Sequence, residues 1–227
     1  MIHIYGTLLP VAHNFQQLQL RLLDQCYRYS RTHLGSAFSS LEIINEIYGS
    51  MKVNDRFILS NGHAAAALYV VLEKFRDKDS TIYFENMGDH PKRNTELLID
   101  CSTGSLGMGV TAAAGMALAN REANVYCLVS DGECAEGSVW ETLRFMEKES
   151  LRNFHLYFNF NGWSAYDEIN TKTLARQILS VYPKANIRFT DLFPFEKQGL
   201  GAHYLKMSED DYLEARRRIC EKILHQL

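Results

Sequence analysis

The stretch NVYCLVSDGECAEGSVWETLRFMEKESLRNFHLYFNFNG, residues 124–162, decides the fold of this 227-residue chain. It contains two apolar runs rich in β-forming residues, 124–130 and 153–160, and residues 137–149 between them carry a helical pattern. A strand, a helix and a second strand in this order form a βαβ unit. That unit predicts a parallel sheet with a right-handed crossover.

Both predicted strands end at a polar residue that is followed by glycine, in Asp131-Gly132 and Asn161-Gly162. In open parallel sheets, ligands bind beyond the carboxyl ends of the strands. Carboxylate and amide oxygens suit a divalent metal that bridges a diphosphate, and glycine lets the backbone approach phosphate oxygens closely. The spacing alone leaves a second interpretation open, because Asp-Gly and Asn-Gly are also common turn dipeptides.

Outward from this unit, the patterns predict one α/β domain over residues 1–227, with a parallel sheet flanked by helices. The predicted elements are, in chain order, a helix at 14–29, a loop at 30–38, a helix from Leu41 to Met51 capped by Ser39-Ser40, a strand at 56–59, a helix at 63–75, a loop-rich stretch at 77–108, a helix of small residues at 110–120, the βαβ unit, a helix at 171–181, a strand at 187–190 and a helix at 209–226 capped by Ser208.

The composition is that of an ordinary globular protein, with 46% hydrophobic and 22% charged residues. A net charge of −3 argues against a nucleic-acid partner, and the sequence holds no apolar run of the length that crosses a membrane. The N-terminus lacks the pattern of a signal peptide. Five cysteines without a CxxC pair favour a reducing cytoplasm over a disulfide framework.

Five segments resemble, in the same order, the diphosphate-binding half of transketolases, which are thiamine diphosphate-dependent enzymes. The resemblance covers about residues 15–168 and implies the thiamine diphosphate-binding fold. SDGECAEGSVWE and the later FNGWS resemble the family's cofactor motif. The other four segments are SRTHLGSAFSSLEI, RFILSNGHAAAALY, GDHPKRN and STGSLGMGVTAAAGMALA.

The resemblance implies a metal site at the two strand ends. Asp131 and Asn161 would bind Mg²⁺ or Ca²⁺, together with the backbone oxygen of Trp163. Gly132 would let the diphosphate approach. The cofactor implied is thiamine diphosphate.

The resemblance also assigns roles to histidines. His63 would contact the diphosphate, and His33 and His90 would face the reacting carbons and bond substrate hydroxyls. Imidazole suits such proton traffic near neutral pH. His203 is a weaker candidate for the diphosphate, because it follows Asn161 more closely than the family's late histidine does.

Three further positions match family residues near the cofactor or between protomers. Gly104 and Leu106 would lie against the aminopyrimidine, and Glu136 would link two active sites at a dimer interface. Two positions depart from the motif, because Ser130 replaces its leading glycine and Phe160 precedes the asparagine. Neither change removes a metal ligand.

The sequence also lacks segments that the family has. The stretch after Asp167 is shorter, and the sequence ends at Leu227 before any pyrimidine-binding domain, which carries the family's cofactor-activating glutamate. We therefore expect a separately encoded pyrimidine-domain partner. The assembly would be an α2β2 heterotetramer or a homodimer of this chain alone.

The predicted reaction is the transfer of a two-carbon ketol unit from a ketose, either a sugar phosphate or a nucleotide-linked sugar, to an aldehyde acceptor. The histidines favour such a hydroxylated donor. Two alternatives stay open: a split acyl or acetyl transferase that uses pyruvate, in specialised sugar biosynthesis, and a non-catalytic regulatory subunit.

Overall fold

A computed structural model describes residues 11–224. Its strands form one parallel sheet in the order β1-β2-β3-β4, so the predicted βαβ unit and parallel sheet are confirmed. Because β2 and β3 are paired along their length, the polar residues that follow them meet at one edge. The strands are β1 (Arg56–Leu59), β2 (Val125–Ser130), β3 (Phe154–Phe160) and β4 (Asn186–Phe189).

Helices cover both faces of this sheet. Two cores result, one between the sheet and α1 to α4 with α8, and one between the sheet and α5 to α7. The helices of the described residues are α1 (Val11–Arg28), α2 (Leu34–Ser50), α3 (Ala65–Arg76), α4 (Ser80–Asn86), α5 (Met108–Ala119), α6 (Gly137–Glu149), α7 (Thr171–Val181) and α8 (Glu209–Leu224).

The central strand β2 shows how one sequence serves both cores. Tyr126 and Leu128 belong to the first core, whereas Val125, Cys127 and Val129 belong to the second. Successive side chains of a strand point to opposite faces, and a strand covered on both faces is an unbroken apolar run. That is why β2 has no polar alternation.

The small residues of α5 bring its backbone against the end of β1. A Cβ atom added to Gly109 would lie 2.5 Å from Ser60 Cα, closer than any side-chain atom can sit. This close approach places the N-terminus of α5 at the carboxyl edge of the sheet.

The sequence prediction was wrong about the start of α2. Residues 30–38 were expected to form a loop, with Ser39 and Ser40 as caps before Leu41, but the helix begins at Leu34. The first eight residues of α2 are all buried. Burial of this segment against the sheet outweighs the capping preference of serine, and both serines lie inside the helix.

Two segments for which no helix was predicted contain short helices. In the 77–108 stretch, α4 follows Asp79, whose side chain accepts a hydrogen bond from the Thr81 N–H as an N-cap does. Residues Glu196–His203 form two 3₁₀ turns that meet at Gly199. The 3₁₀ turns are important for the site, because they carry the candidate residue His203.

The remaining predicted boundaries agree with the structure to within about three residues. The predicted last helix, 209–226, is confirmed as far as residue 224. The single domain over 1–227 stays a prediction, because residues 1–10 and 225–227 lie outside the described part. Within residues 11–224, no helix combines the length and apolarity needed to span a bilayer.

Candidate functional site

Asp131 lies between the turns that follow β2 and β3. Its carboxylate accepts hydrogen bonds from the Gly162 N–H at 2.7 Å and from the Gly132 N–H at 3.0 Å. Its own N–H donates to the Asn159 carbonyl at 3.0 Å. Strand pairing therefore brings the residues after the two strands into direct contact, as the sequence predicted.

The carboxyl group of Asp131 is buried away from solvent. Asp131 is 1% exposed. Within residues 11–224, no lysine or arginine forms an ion pair with it. Burial raises the pKa of this carboxyl to about 7, against the opposing effect of the backbone N–H bonds. A buried carboxylate without a cation partner is a suitable ligand for a bound metal ion.

Asn161 and Trp163 add two further oxygen atoms at the same turn. The Trp163 N–H donates to Asn161 Oδ1 at 3.0 Å. A Cβ atom on Gly132 would lie 3.8 Å from the Trp163 carbonyl oxygen and 3.3 Å from Ser164 Cα, so glycine leaves that space open. Carboxylate, amide and carbonyl oxygens form the hard ligand set of Mg²⁺ or Ca²⁺, and the residues fit such an ion.

Four histidines from separate segments form a second group, here called the histidine cluster: His33, His63, His90 and His203. Ring centroids lie 4.6 Å apart for His33 and His203, 5.2 Å for His63 and His203, and 5.5 Å for His33 and His63. His90 is at 6.1 Å from His33. The structure thus brings together all three histidines singled out by motif and the weaker candidate.

A backbone hydrogen bond between distant segments connects two histidines of the cluster, His33 and His203. His33 occupies the position before α2 with a left-handed backbone, φ 59°, and its N–H donates to the His203 carbonyl at 2.9 Å. Its Nδ1 bonds with Thr32 Oγ1 at 2.9 Å, and Ser36 Oγ is 3.5 Å from His203 Nδ1. The start of α2 and the 3₁₀ turns therefore position each other.

Burial lowers the pKa of three histidines of the cluster, His33, His63 and His203. It lowers the pKa of His203 to about 4 and that of His63 well below its usual value, and the neighbouring imidazoles add to both effects. The pKa of His33 is lowered by burial as well. Neutral imidazoles so close together offer donors and acceptors, and an anion placed among them would raise their pKa values.

The other predicted residues lie around these two groups. A Cβ atom on Gly104 would be 2.9 Å from His90 Cδ2, so glycine allows the ring to pack there. Leu106 is half-buried and Glu136 is exposed. A Cβ atom on Gly107 would be 3.0 Å from Glu136 Cβ, which places that acid beside the start of α5. The functional roles of these residues stay predictions.

Sequence reasoning missed Glu133, which is fully buried. Its carboxylate accepts from the Ser60 hydroxyl at 2.7 Å, the Ser130 N–H at 2.9 Å and the Gly107 N–H at 3.0 Å. Burial raises its pKa. It joins the ends of β1 and β2 to the start of α5, and its only signal in the sequence was its place two positions after Asp131.

Comparison with known proteins identifies the family of this site. The sequence profile described as "Transketolase, thiamine diphosphate binding domain" matches residues 16–178. The chain belongs to this family. The match contains β1 to β3 and all the predicted site residues except His203.

Relatives differ in how much of their length this chain covers. Transketolase-like protein 2 from Mus musculus is 40% identical over 119 residues, which are 48% of this chain and 19% of that protein. One of the subunits of apulose-4-phosphate transketolase from Phocaeicola vulgatus is 33% identical over 153 residues, 59% of this chain and 54% of that protein. The chain spans about a fifth of the mammalian relatives and about half of the bacterial one.

Solved structures confirm the fold. Transketolase from Leishmania mexicana superposes with a TM-score of 0.63 over 99% of this chain and 46% of that one, at 16% identity. A transketolase mutant from Pichia stipitis gives 0.59 over 95% of this chain and 45% of that one, also at 16% identity. The thiamine diphosphate-binding α/β fold predicted from the motifs is therefore correct.

Proposed function

We propose that this chain is the diphosphate-binding subunit of a two-component transketolase, which transfers a two-carbon ketol unit from a ketose to an aldehyde acceptor. One observation supports this most. Asn161 and Trp163, from the turn after β3, line the same small cavity as Ser36 and His203, which supports a cation site beside a polar anion site. A metal-bound diphosphate needs that pair of sites.

In this proposal the residues of the strand ends hold the metal and those of the cluster hold the anion. Asp131, Asn161 and the Trp163 carbonyl would bind Mg²⁺ or Ca²⁺, and His63 and His203 would bond diphosphate oxygens. Thiamine diphosphate, when bound, supplies an electron sink for breaking a carbon–carbon bond beside a carbonyl. The protein's part is to orient that cofactor and exclude water.

The remaining histidines bear on the donor. His90 is exposed at the rim of the cluster and His33 is half-buried, which supports a role for these two imidazoles towards the substrate. A site built to bond hydroxyls discriminates against substrates that lack them. We therefore propose a ketose as donor, as a sugar phosphate or a nucleotide-linked sugar, and pyruvate as the alternative that an assay must test.

The bacterial relative is named as one subunit of a transketolase, which supports the two-component arrangement. A separately encoded pyrimidine-domain protein would supply the acid that activates the cofactor, in an α2β2 assembly with Glu136 near the contact between protomers. All five cysteines are free, which supports the proposal that the protein works in the reducing cytoplasm.

The test has two stages. First, the purified chain is titrated with thiamine diphosphate, with and without Mg²⁺, by calorimetry. We expect binding that requires the metal, and metal-independent or absent binding would favour a regulatory role instead. Second, ketose cleavage and pyruvate decarboxylation are assayed with and without a pyrimidine-domain protein. We expect ketose cleavage only in the mixture, whereas full turnover by this chain alone would refute the two-component arrangement.

A further inference from the structure

Ser39 lies beneath the proposed metal site, inside α2. It is 4% exposed, and its hydroxyl donates to the Ser36 carbonyl at 3.3 Å. The same oxygen accepts from Asn159 Nδ2 at 2.8 Å and from Asn161 Nδ2 at 3.2 Å. The single proton of this hydroxyl is already used, so towards the two amides Ser39 acts as an acceptor.

These contacts determine which way the Asn161 amide faces. The two ends of an amide have nearly the same shape, but only the oxygen can bind a cation. A backbone N–H can only donate, so Trp163 N at 3.0 Å requires Asn161 Oδ1 on its side. Ser39 accepts from Nδ2 on the other side, and both neighbours therefore select one orientation.

We propose that Ser39 is a positioning residue, which holds the Asn161 amide so that Oδ1 is presented to the metal ion. This inference rests on the proposed function. Without the Ser39 hydroxyl, Asn161 Nδ2 would lose its acceptor in a partly buried place. Only the Trp163 N–H would then select the orientation of the amide, and Oδ1 would be held less firmly towards the metal ion. Partners that orient a metal ligand typically contribute about tenfold to a hundredfold in metal affinity.

The measurement is the affinity for Mn²⁺ in the presence of saturating thiamine diphosphate, followed by electron paramagnetic resonance of the free ion. The full chain, Ser39→Ala, Asn161→Ala and the double variant are compared. We expect Ser39→Ala to weaken Mn²⁺ binding about tenfold and Asn161→Ala to weaken it further. In the double variant, the Ser39 change should add less than about a factor of two, because its effect passes through Asn161.

Ser40→Ala is the matched control, since Ser40 is the next residue of the same helix and is also buried. Its hydroxyl accepts from Asn61 and Asn159 and forms no hydrogen bond with Asn161 in the described structure. We expect its Mn²⁺ affinity to stay within about twofold of the unaltered chain. Ser39→Cys fills the cavity with a weak acceptor and should weaken Mn²⁺ binding even if the alanine variant does not fold.

Three results would overturn the inference. Unchanged Mn²⁺ affinity in both Ser39 variants would show that the hydroxyl does not orient the ligand. An equal loss in the Asn161→Ala background, or an equal loss in Ser40→Ala, would show a general effect on folding. A full chain that binds no Mn²⁺ at all would refute the proposed function itself, which is a different outcome from the first three.

Discussion

The turns after β2 and β3 that carry the proposed metal ligands, here called the metal-ligand turns, and the histidine cluster are built in different ways. Asp131 and Asn161 follow two paired strands, and backbone N–H groups of the same turns fix the carboxylate of Asp131. The histidine cluster draws on segments from one end of the described chain to the other. Its key contact, between His33 N–H and the His203 carbonyl, joins the start of α2 to the 3₁₀ turns before α8.

The difference shows that the histidine cluster depends on the packing of distant segments more than the metal-ligand turns do. A strand ladder between buried strands is among the last parts of a domain to open, whereas loops and short turns open at lower free energy. The metal-ligand turns should therefore keep their geometry when the surrounding layers are disturbed. The histidine cluster should lose its geometry first.

The largest expected effect comes from removing a proposed metal ligand. Asp131→Ala removes the only charged ligand in the proposed set, and we expect thiamine diphosphate binding in the presence of Mg²⁺ to weaken by more than about a hundredfold, the most that an outer partner of a ligand usually contributes. Calorimetric titration measures it. Glu168→Ala, which removes an exposed acid from the nearby loop, is the control, and equal behaviour of the two variants would place the site elsewhere.

A substitution at the turn that carries His63 should disturb the histidine cluster and leave the metal-ligand turns intact. A Cβ atom on Gly62 would lie 2.7 Å from the backbone carbon of Thr103, so Gly62→Ala must displace the turn that carries His63. We expect a loss of about 1–3 kcal/mol in the free energy of unfolding and about tenfold weaker binding of inorganic pyrophosphate. Thermal unfolding and calorimetry measure the two.

Gly115→Ala makes the same substitution where nothing lies within 4 Å of the added Cβ. On this exposed helix position alanine should stabilise by up to about 1 kcal/mol and leave pyrophosphate binding as it was. If Gly62→Ala weakened Mn²⁺ binding as much as pyrophosphate binding, the metal-ligand turns would not be independent of the histidine cluster.

The smallest expected effect is a proton linkage of the histidine cluster. The pKa of His203 is lowered to about 4 by burial and by His33, so between about pH 4 and the unfolded value near 6.5 the unfolded chain binds more protons. Stability should therefore fall as pH decreases through that window. Pyrophosphate should raise the histidine pKa values, so its binding near pH 6 should take up less than one proton.

Calorimetry in two buffers of different ionisation enthalpy measures that uptake, and thermal unfolding against pH measures the stability. His203→Gln should reduce both dependences, and His155→Gln, outside the cluster, should leave the proton uptake unchanged. Proton release on binding, or stability that rises towards pH 4 in the unaltered chain, would contradict a lowered pKa of His203 in the folded chain.

Prediction from sequence succeeded where the local pattern of one segment determines its structure. The βαβ unit, the contact between the turns that carry Asp131 and Asn161 and the bounds of α6 follow from local periodicity and short connections. It failed at α2, where Ser39 was taken for a cap, because burial of the whole segment decides the helix start. It missed Glu133, whose partners Ser60 and Gly107 are distant in the chain.

The sequence by itself determined the family, the parallel sheet and the two strand ends where Asp131 and Asn161 lie. These depend on motifs, on periodicity and on neighbouring strands, all of which are written along the chain. Only the tertiary structure decided that His203 joins the histidine cluster and that Ser39 contacts Asn161. Such contacts depend on how layers from distant segments pack, and no local pattern specifies that packing.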